Sequence, residues 1–282
     1  MRAHRSITAS LVAFGRGIGV GASARDPQAA ALLHPLLGAV VRVATRGPAE
    51  HPLRGALRLA TLGMVDHTTL RMLAIDRALR TAVDEGARQI VILGAGLDSR
   101  ASQSPRRELT FFEVDHPATQ RFKQSRVSAA HRAVFVPVDF EVDDLARSLE
   151  QAGHDRTVPT VWLWEGVTMY LRPPAIDATL QVIEARSGPK STAIVSYVEP
   201  LKFPLGEAAR PVVDLGFRIM GEPLYGLMDR REMRQRLFKH GFEVRSDGNS
   251  EDWALAEGRS GRLASTFRVE RLATARFRRS RS

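Results

Sequence analysis

The 282-residue chain contains no cysteine. This excludes a disulfide framework and a metal site built from thiolates, and it fits a reducing compartment. Long apolar runs are missing too, because none approaches the roughly 18 residues that a membrane-spanning helix needs. The N-terminal apolar stretch is interrupted at Arg16 and is too short to indicate an export signal. We therefore expect a soluble cytoplasmic protein without a membrane partner.

Lysine is scarce, with four of the 41 basic residues, although the formal net charge is +10. Such a charge is compatible with an anionic partner such as a nucleic acid. The arginines, however, are scattered along the chain and cluster only at 276–281, as is typical of a solvated terminus. A general preference for arginine explains the charge better than a nucleic-acid interface does.

Residues 90–93 are four consecutive branched apolar residues that run directly into Gly94-Ala95-Gly96. This pattern predicts a buried parallel strand that ends in a loop whose backbone approaches a ligand. Nucleotide-like ligands bind at the carboxyl ends of such strands in α/β sheets. The dinucleotide-binding pattern would require a third glycine where this chain has Ser99. The turn alone therefore leaves the ligand open.

Predicted strands and helices alternate after this turn, which implies an α/β fold with a parallel sheet covered on both faces. The predicted strands are residues 88–93, 109–114, 133–138, 160–164, 191–198, 242–245 and 265–271. The predicted helices are residues 66–85, 117–130, 143–151, a segment that begins at Pro173, and 229–241. Residues 1–65 have many Gly and Pro breaks and predict an N-terminal helical cap on a domain at 66–282. Within that domain, the Pro, Gly and aromatic residues at about 199–228 predict a lid-like insertion.

Four consecutive predicted strands each carry an acid just after their carboxyl ends: Asp98, Asp115, Asp139 and Glu165. Asp115 lies 19 residues past Gly96, which suits hydrogen bonds from ribose hydroxyls. Asp139 can accept from an adenine amino group, Phe140 can cover the base, and Glu165 can pair with an ammonium group. The alternative is that such acids cap the following helices, and for Asp98 the two interpretations are equally supported.

A ligand with hydroxyls, an exocyclic amine and an ammonium group, but no phosphate, is S-adenosylmethionine. The missing third glycine supports this ligand, because a pyrophosphate needs close backbone approach at a helix N-terminus and a methionine tail does not. Arg71 lies at the edge of the apolar stripe of its predicted helix. It could extend its charged head into solvent or aim it at a bound carboxylate, and the spacing alone favours the first. We expect no metal.

Several ordered segments resemble motifs of the leucine carboxyl methyltransferase-like family of S-adenosylmethionine-dependent O-methyltransferases, in its bacterial, tetracenomycin-type carboxyl methyltransferase branch. The glycine-turn segment 89–100 is similar to the first motif, and Phe112–Pro117 with Lys123 is similar to the second. The further segments that carry the resemblance are Val136–Phe140, Trp164–Leu171, Gly221–Pro223, and Arg71 with Ile75 and Asp76.

The resemblance implies a class I methyltransferase fold, a Rossmann-like sheet of seven strands with the last one antiparallel. It also implies that Arg71 holds the cofactor's carboxylate and that Gly94, Ala95 and Gly96 form the turn beside its methionine half. Further implied roles are ribose binding by Asp115, adenine binding by Asp139 and Phe140, and amino-group binding by Glu165. The chain departs from the family pattern at residues 101–104, which leaves the role of Arg100 open.

The methyl acceptor is less constrained, and we expect O-methylation of a small-molecule carboxylate or hydroxyl. A carboxylate needs only to be oriented, and Tyr170, Tyr197 and Tyr225 are candidates for that task. A phenol or alcohol needs a base, for which His116 is the residue to test. The alternatives are a protein C-terminal carboxylate or RNA as acceptor, or a dinucleotide-dependent reductase. The sequence indicates no oligomeric state.

Overall fold

The computed structural model describes residues 7–20, 25–46, 52–127, 131–200, 223–259 and 264–278. Seven strands form one sheet in the order β3-β2-β1-β4-β5-β7-β6. They are β1 (Gln89–Leu93), β2 (Thr110–Asp115), β3 (Ala133–Pro137), β4 (Thr160–Trp164), β5 (Thr192–Val198), β6 (Phe242–Asn249) and β7 (Glu270–Phe277). Strand β7 is antiparallel to β5 and β6, whereas the pairs among β1 to β5 are parallel. The expected sheet of seven strands with an antiparallel last strand is confirmed.

Helices cover both faces of this sheet. Before β1 come α1 (Ile7–Ile18), α2 (Ala29–Leu32), α3 (Pro35–Thr45), α4 (Pro52–Ala60) and α5 (Met64–Asp84). The later helices are α6 (Arg100–Gln103), α7 (Pro117–Gln124), α8 (Leu145–Gln151), α9 (Pro173–Ala185), α10 (Arg230–Lys239) and α11 (Ser250–Ala256), with 3-10 helices at Thr168–Tyr170 and Ala264–Phe267. Within the described ranges, no helix is both long and apolar enough to cross a membrane.

The core lies on both faces of the sheet because successive strand residues point to opposite sides. Val91 and Leu93 of β1 pack in a cluster with residues of α8, α9 and α10. Ile90 and Ile92 pack on the other face with residues of α5 and α11. Strands β1 and β4 are buried along their whole length, as expected for central strands of a parallel sheet. The register aligns Leu93 with Trp164, so the segments after β1 and β4 leave the sheet at the same edge.

The N-terminal cap is helical in its described part, as expected, and the division of the chain at residue 65 stays a prediction. Helix α1 packs tightly on α5, since a Cβ at Gly15 would lie 2.2 Å from Thr68 Oγ1. The cap has its own apolar cluster, which includes Phe14, Ile18 and also Leu97 from the loop after β1. The cap therefore sits against the glycine turn.

The prediction for the last strand was wrong. Residues 264–267 form a 3-10 helix, and β7 runs from Glu270 to Phe277. Strand β7 contains charged residues that are buried because they form ion pairs. Its sequence therefore lacks the alternation of apolar and polar residues from which a strand is predicted. Helix α11 was not predicted, although Asn249 and Asp252 form a capping box at its start. Helix α7 is also shorter than predicted and ends at Gln124.

Most of the predicted lid-like insertion, residues 201–222, lies outside the described residues, as do Gly221 and Glu222 of the late motif. The described end of that segment returns to the sheet edge. There the backbone N–H groups of Tyr225 and Gly226 donate to the Met169 carbonyl oxygen at 2.8 and 3.0 Å. Residues 225 and 226 are therefore tied to the 3-10 helix that follows β4.

Candidate functional site

The glycine turn after β1 has the backbone geometry that its sequence predicts. Gly94 and Gly96 have φ angles of +70° and +45°, in the left-handed region that favours glycine. A Cβ at Gly94 would lie 2.2 Å from Val167 Cγ2. Ala95 between them is buried. The loops after β1 and β4 thus approach each other more closely than any side chain at position 94 would allow.

Asp115, at the end of β2, lies directly beside this turn. Its Oδ2 accepts a hydrogen bond from the Gly96 N–H at 2.5 Å, and its Oδ1 accepts from the His116 N–H at 2.6 Å. Burial raises the pKa of the Asp115 carboxyl, against the lowering effect of these two bonds. The structure therefore brings together the turn and the acid that the spacing of 19 residues had linked.

Asp139 and Phe140 follow β3, which lies next to β2 on the side away from β1. The Asp139 Oδ2 lies 3.8 Å from Nε2 of His116, and Phe140 packs partly buried against the core. His116 itself begins α7, where its Nδ1 accepts a hydrogen bond from the Ala118 N–H at 3.2 Å. This histidine therefore caps a helix in the structure.

Glu165, at the end of β4, is held by two buried arginines. Its Oε1 lies 3.0 Å from Nε of Arg71, and its Oε2 lies 3.2 Å from Nη1 of Arg100. Arg71 is only 4% exposed, so the interpretation that its head extends into solvent was wrong. A carboxylate and two guanidinium groups instead meet at the sheet edge, where a buried carboxylate needs a charged partner.

Three further residues of this edge were missed by the sequence reasoning. Glu270 of β7 accepts from Nη1 of Arg71 at 2.5 and 2.6 Å, and it also contacts Nε2 of His67 at 2.6 Å. Arg16 of α1 donates to the Leu97 carbonyl oxygen at 3.0 Å. We call the resulting chain of charged and hydrogen-bonded side chains the edge array: His67, Glu270, Arg71, Glu165, Arg100, Asp98 and Arg16.

Asp98 links the glycine turn to this array. Its Oδ1 accepts from the Arg100 N–H at 2.8 Å at the start of α6, so it does serve the following helix. Its Oδ2 pairs with Nη1 of Arg100 and lies 3.5 Å from Nη1 of Arg16. Asp98 therefore fixes both the backbone and the guanidinium group of Arg100.

The carboxylates of the edge array stay ionised although they are buried. Burial alone would raise the pKa of Asp98, but Arg100 and Arg16 outweigh it and hold the pKa at about 2. Burial likewise opposes ionisation of Glu270, and Arg71 and His67 hold its pKa at about 2. The pKa of Glu165 is also lowered, because Arg71 and Arg100 outweigh its burial. The array thus presents fixed charges of both signs at neutral pH.

Three side-chain nitrogens of the array are buried without a hydrogen-bond partner among the described residues: Nδ1 of His67 and two guanidinium donors, Nε of Arg16 and Nη2 of Arg100. Buried polar groups are normally paired, so the two guanidinium donors call for an acceptor that the described residues do not supply. An α-amino acid group fits, because its carboxylate needs guanidinium donors and its ammonium needs carboxylate oxygens. The residues present at the edge therefore suit the methionine half of S-adenosylmethionine.

Comparison with known proteins gives the family. The model of the family described as leucine carboxyl methyltransferase matches residues 10–184. The chain belongs to this family. A Mycobacterium bovis protein named "Putative S-adenosyl-L-methionine-dependent methyltransferase" is 30% identical over 223 residues, which is 73% of this chain and 69% of the relative. A protein of the same name from Mycolicibacterium gilvum is 38% identical over 143 residues, which is 48% of this chain and 46% of that protein.

Solved structures share the fold at low identity. A DUF574 family protein of Streptomyces avermitilis superposes with a TM-score of 0.57 at 17% identity, covering 85% of this chain and 96% of its own. A "putative methyltransferase" of Thermobifida fusca gives a TM-score of 0.56 at 16% identity, covering 85% of this chain and 94% of its own. At these identities the likeness shows the fold alone.

In this member of the leucine carboxyl methyltransferase family, Ser99 stands where the dinucleotide-binding pattern has a third glycine, and its side chain contacts the N-terminal cap. Its hydroxyl donates to Oδ2 of Asp26 at 2.6 Å, and Nε2 of Gln103 donates to Oδ1 of Asp26 at 2.9 Å. Asp26 is only 4% exposed and also accepts from the Gln28 N–H. The N-terminal segment is therefore attached to the loop that carries Asp98.

The three candidate tyrosines lie in different environments. Tyr170 is partly buried at the end of the 3-10 helix after β4. Tyr225 is 48% exposed, and the guanidinium carbon of Arg172 lies 5.2 Å from the centre of its ring. Tyr197 is fully buried, and its hydroxyl donates to Oδ2 of Asp247 at 2.8 Å. The backbone N–H of Tyr225 donates to the carbonyl oxygen of Met169, the residue before Tyr170, whereas Tyr197 lies in β5 and its hydroxyl belongs to a different hydrogen-bonded group.

Proposed function

We propose that this methyltransferase transfers the methyl group of S-adenosylmethionine to an oxygen atom of a small molecule that bears a carboxylate or hydroxyl group. One observation carries the proposal. A single edge of the sheet brings together the glycine turn, the acids after β1 to β4 and the buried guanidinium groups of Arg71 and Arg100. Such a surface suits a ligand that has hydroxyls and an amino acid end.

We assign the cofactor to the residues in the order in which they lie along the edge. Arg71 would hold the carboxylate and Glu165 the ammonium group, while the backbone at 94–96 leaves room for the methionine half. Asp115 would accept from the ribose hydroxyls. Asp139 would accept from the adenine amino group, and Phe140 would cover the base. When bound, the cofactor supplies a methyl group that is already activated for transfer.

The remaining task of the protein is to position the acceptor oxygen and to exclude water. Tyr170 and Tyr225 are the tyrosines that we assign to this task, because both belong to the loops at the carboxyl edge. A carboxylate acceptor is ionised at neutral pH and needs no base. A hydroxyl acceptor needs one, and His116 has only its Nε2 available for that role because its Nδ1 caps α7.

Calorimetry with S-adenosylmethionine, its demethylated product S-adenosylhomocysteine and reduced nicotinamide cofactors tests the cofactor assignment. We expect binding heat for the first two ligands and none for the nicotinamides. Heat with a nicotinamide cofactor alone would support a dinucleotide-dependent reductase and would contradict the proposal.

Transfer from methyl-labelled S-adenosylmethionine tests the acceptor. Label in small organic acids that alkali releases as volatile methanol indicates a methyl ester, and alkali-stable label indicates a methyl ether. Label that appears only in protein or RNA would contradict the small-molecule assignment. Binding to RNA that weakens steeply with salt would point the same way.

A further inference from the structure

We propose that Arg100 is a second cation for the cofactor's carboxylate and acts beside Arg71. This inference rests on the proposed function, because it assigns a further residue of the same site. The Arg100 guanidinium group lies among three carboxylates: its Nε is 2.7 Å from Oδ1 of Asp76, and its Nη1 contacts both Asp98 and Glu165. Its Nη2 is buried and has no hydrogen-bond partner in the part of the chain that the structure describes.

This unpaired donor defines the chemistry of the missing partner. A guanidinium group can donate but never accept, so the partner must present an acceptor oxygen. Carboxylates pair with guanidinium groups through short, charge-assisted hydrogen bonds, and the fork of two nitrogens suits their two oxygens. The structure therefore points to a carboxylate that comes from a ligand.

The position of Arg100 identifies which carboxylate this is. Arg71 and Arg100 contact different oxygens of Glu165, at 3.0 and 3.2 Å, and so flank it on two sides. Each of these oxygens has a second lone pair with which it can accept from an ammonium group. In an α-amino acid the ammonium and the carboxylate are bonded to the same carbon atom. A ligand whose ammonium lies at Glu165 therefore has its carboxylate close to both arginines.

The backbone of Arg100 is also fixed in the way that a binding residue requires. The Arg100 N–H donates to Oδ1 of Asp98, which stands directly after the glycine turn. Asp98 in turn lies 3.5 Å from Arg16 of the cap. The guanidinium group is thus held in place before any ligand arrives, which reduces the entropy lost on binding. The departure of residues 101–104 from the family pattern leaves these contacts untouched, because they involve residues 76, 98 and 165.

The test compares S-adenosylmethionine with its decarboxylated form, which keeps the adenosine, the sulfonium and the amino group but has no carboxylate. Dissociation constants of both ligands are measured by calorimetry for the wild type, Arg100→Gln and Arg107→Gln. Arg107 is exposed and seven residues away, so it controls for the loss of one arginine. We expect Arg100→Gln to weaken S-adenosylmethionine about tenfold to a hundredfold and to leave the decarboxylated ligand unchanged. Arg107→Gln should change neither.

Arg100→Lys provides a second variant, because it keeps a positive charge among the three carboxylates and is suited to the case in which Arg100→Gln does not fold. One ammonium group cannot occupy both nitrogen positions of the fork, so the preference for the carboxylated ligand should fall here too. An equal loss for both ligands, or no loss for either, would show that Arg100 only supports the fold. A wild type that binds neither ligand would overturn the proposed function itself.

Discussion

Glu270 and Arg271 are neighbours in β7, yet they belong to two different charge clusters because successive strand residues face opposite sides of the sheet. Glu270 joins the edge array through Arg71 and His67. Arg271 joins a second group, which we call the Tyr197 cluster: Tyr197, Arg230, Asp247 and Arg271. In this cluster the Arg271 Nε lies 2.8 Å from Oδ1 of Asp247 and 3.2 Å from the Tyr197 hydroxyl.

The two clusters differ in completeness. In the Tyr197 cluster, Asp247 also accepts from the Tyr197 hydroxyl at 2.8 Å and lies 3.4 Å from Nε of Arg230. No buried side-chain nitrogen or oxygen of this cluster lacks a partner among the described residues, whereas the edge array leaves donors of Arg16 and Arg100 unpaired. Because buried polar groups are normally satisfied, we assign the complete cluster to the fold and the incomplete one to the proposed cofactor site. Substitutions in the two clusters should therefore have different effects.

The largest effect is expected for Glu165→Ala in the edge array. Both Arg71 and Arg100 would lose a buried acceptor, and breaking a buried ion pair in this way costs about 3–5 kcal/mol of stability. Affinity for S-adenosylmethionine should fall by about a hundredfold or more, since the ammonium group loses its charged partner. Calorimetry and urea unfolding measure the two effects.

Asp115→Ala tests the neighbouring acid and should also weaken cofactor binding, because the ribose hydroxyls lose their acceptor. Its bonds to the Gly96 and His116 N–H groups are lost as well. Normal affinity in both Glu165→Ala and Asp115→Ala would show that acids at strand ends do not indicate the cofactor site in this chain.

Gly94→Ala should have the next largest effect. The added Cβ would lie 2.2 Å from Val167 Cγ2 at a φ of +70°, and the clash and the left-handed backbone together cost about 2–4 kcal/mol. Cofactor affinity should fall with stability, because the turn must shift. The matched control is Gly55→Ala in α4, where no atom lies within 4 Å of the added Cβ. That variant should be about 0.5–1 kcal/mol more stable, and equal effects of the two substitutions would contradict this account.

The apolar strands and the acids that follow them were predictable because both are local features of the sequence. Strands β1 to β5 were placed within one residue at each end, and Asp115 and Glu165 follow from the spacing after apolar runs. Glu270 was not predictable, because its partner Arg71 is 199 residues away and its strand carries buried charges. The sequence that includes Ser265 and Phe267 has the alternation of a strand, yet these residues lie in a 3-10 helix. Long-range ion pairs decide these positions, and a single sequence does not display them.

Lowering the pH should also distinguish the two clusters, with a smaller effect on the free energy of unfolding than the substitutions above. The folded-state pKa of Glu270, about 2, lies below its ordinary value of 4.5. Its contribution to stability is therefore complete above about pH 4.5 and is lost as the pH falls through about 2. Glu270→Gln should flatten the fall of the unfolding free energy over this range by a few kcal/mol and should weaken cofactor binding severalfold, because Arg71 loses an anchor.

Asp247→Asn is the matched change in the Tyr197 cluster. It should reduce stability by about 2–4 kcal/mol, because Arg271 loses its nearest carboxylate and keeps only Glu199, at 3.9 Å, as a charged partner. The affinity for S-adenosylmethionine should be that of the wild type. Weaker cofactor binding in Asp247→Asn would remove the distinction between the two clusters. So would an unfolding free energy of Glu270→Gln that falls as steeply at low pH as that of the wild type.

The smallest effects on stability and on methyl transfer are expected when the tyrosines are changed to phenylalanine. These variants test whether the acceptor lies beside Tyr225 or beside the Tyr197 cluster. Tyr197→Phe removes one hydrogen bond from a complete cluster, so it should lower stability by about 1 kcal/mol and leave the rate of methyl transfer unchanged. Tyr225→Phe should leave stability within about 0.5 kcal/mol of the wild type, because the side chain is about half exposed. If Tyr225 orients the acceptor, its loss lowers the transfer rate severalfold at unchanged cofactor affinity. The reverse pattern, with a slower Tyr197→Phe and a fully active Tyr225→Phe, would place the acceptor on the side of the Tyr197 cluster.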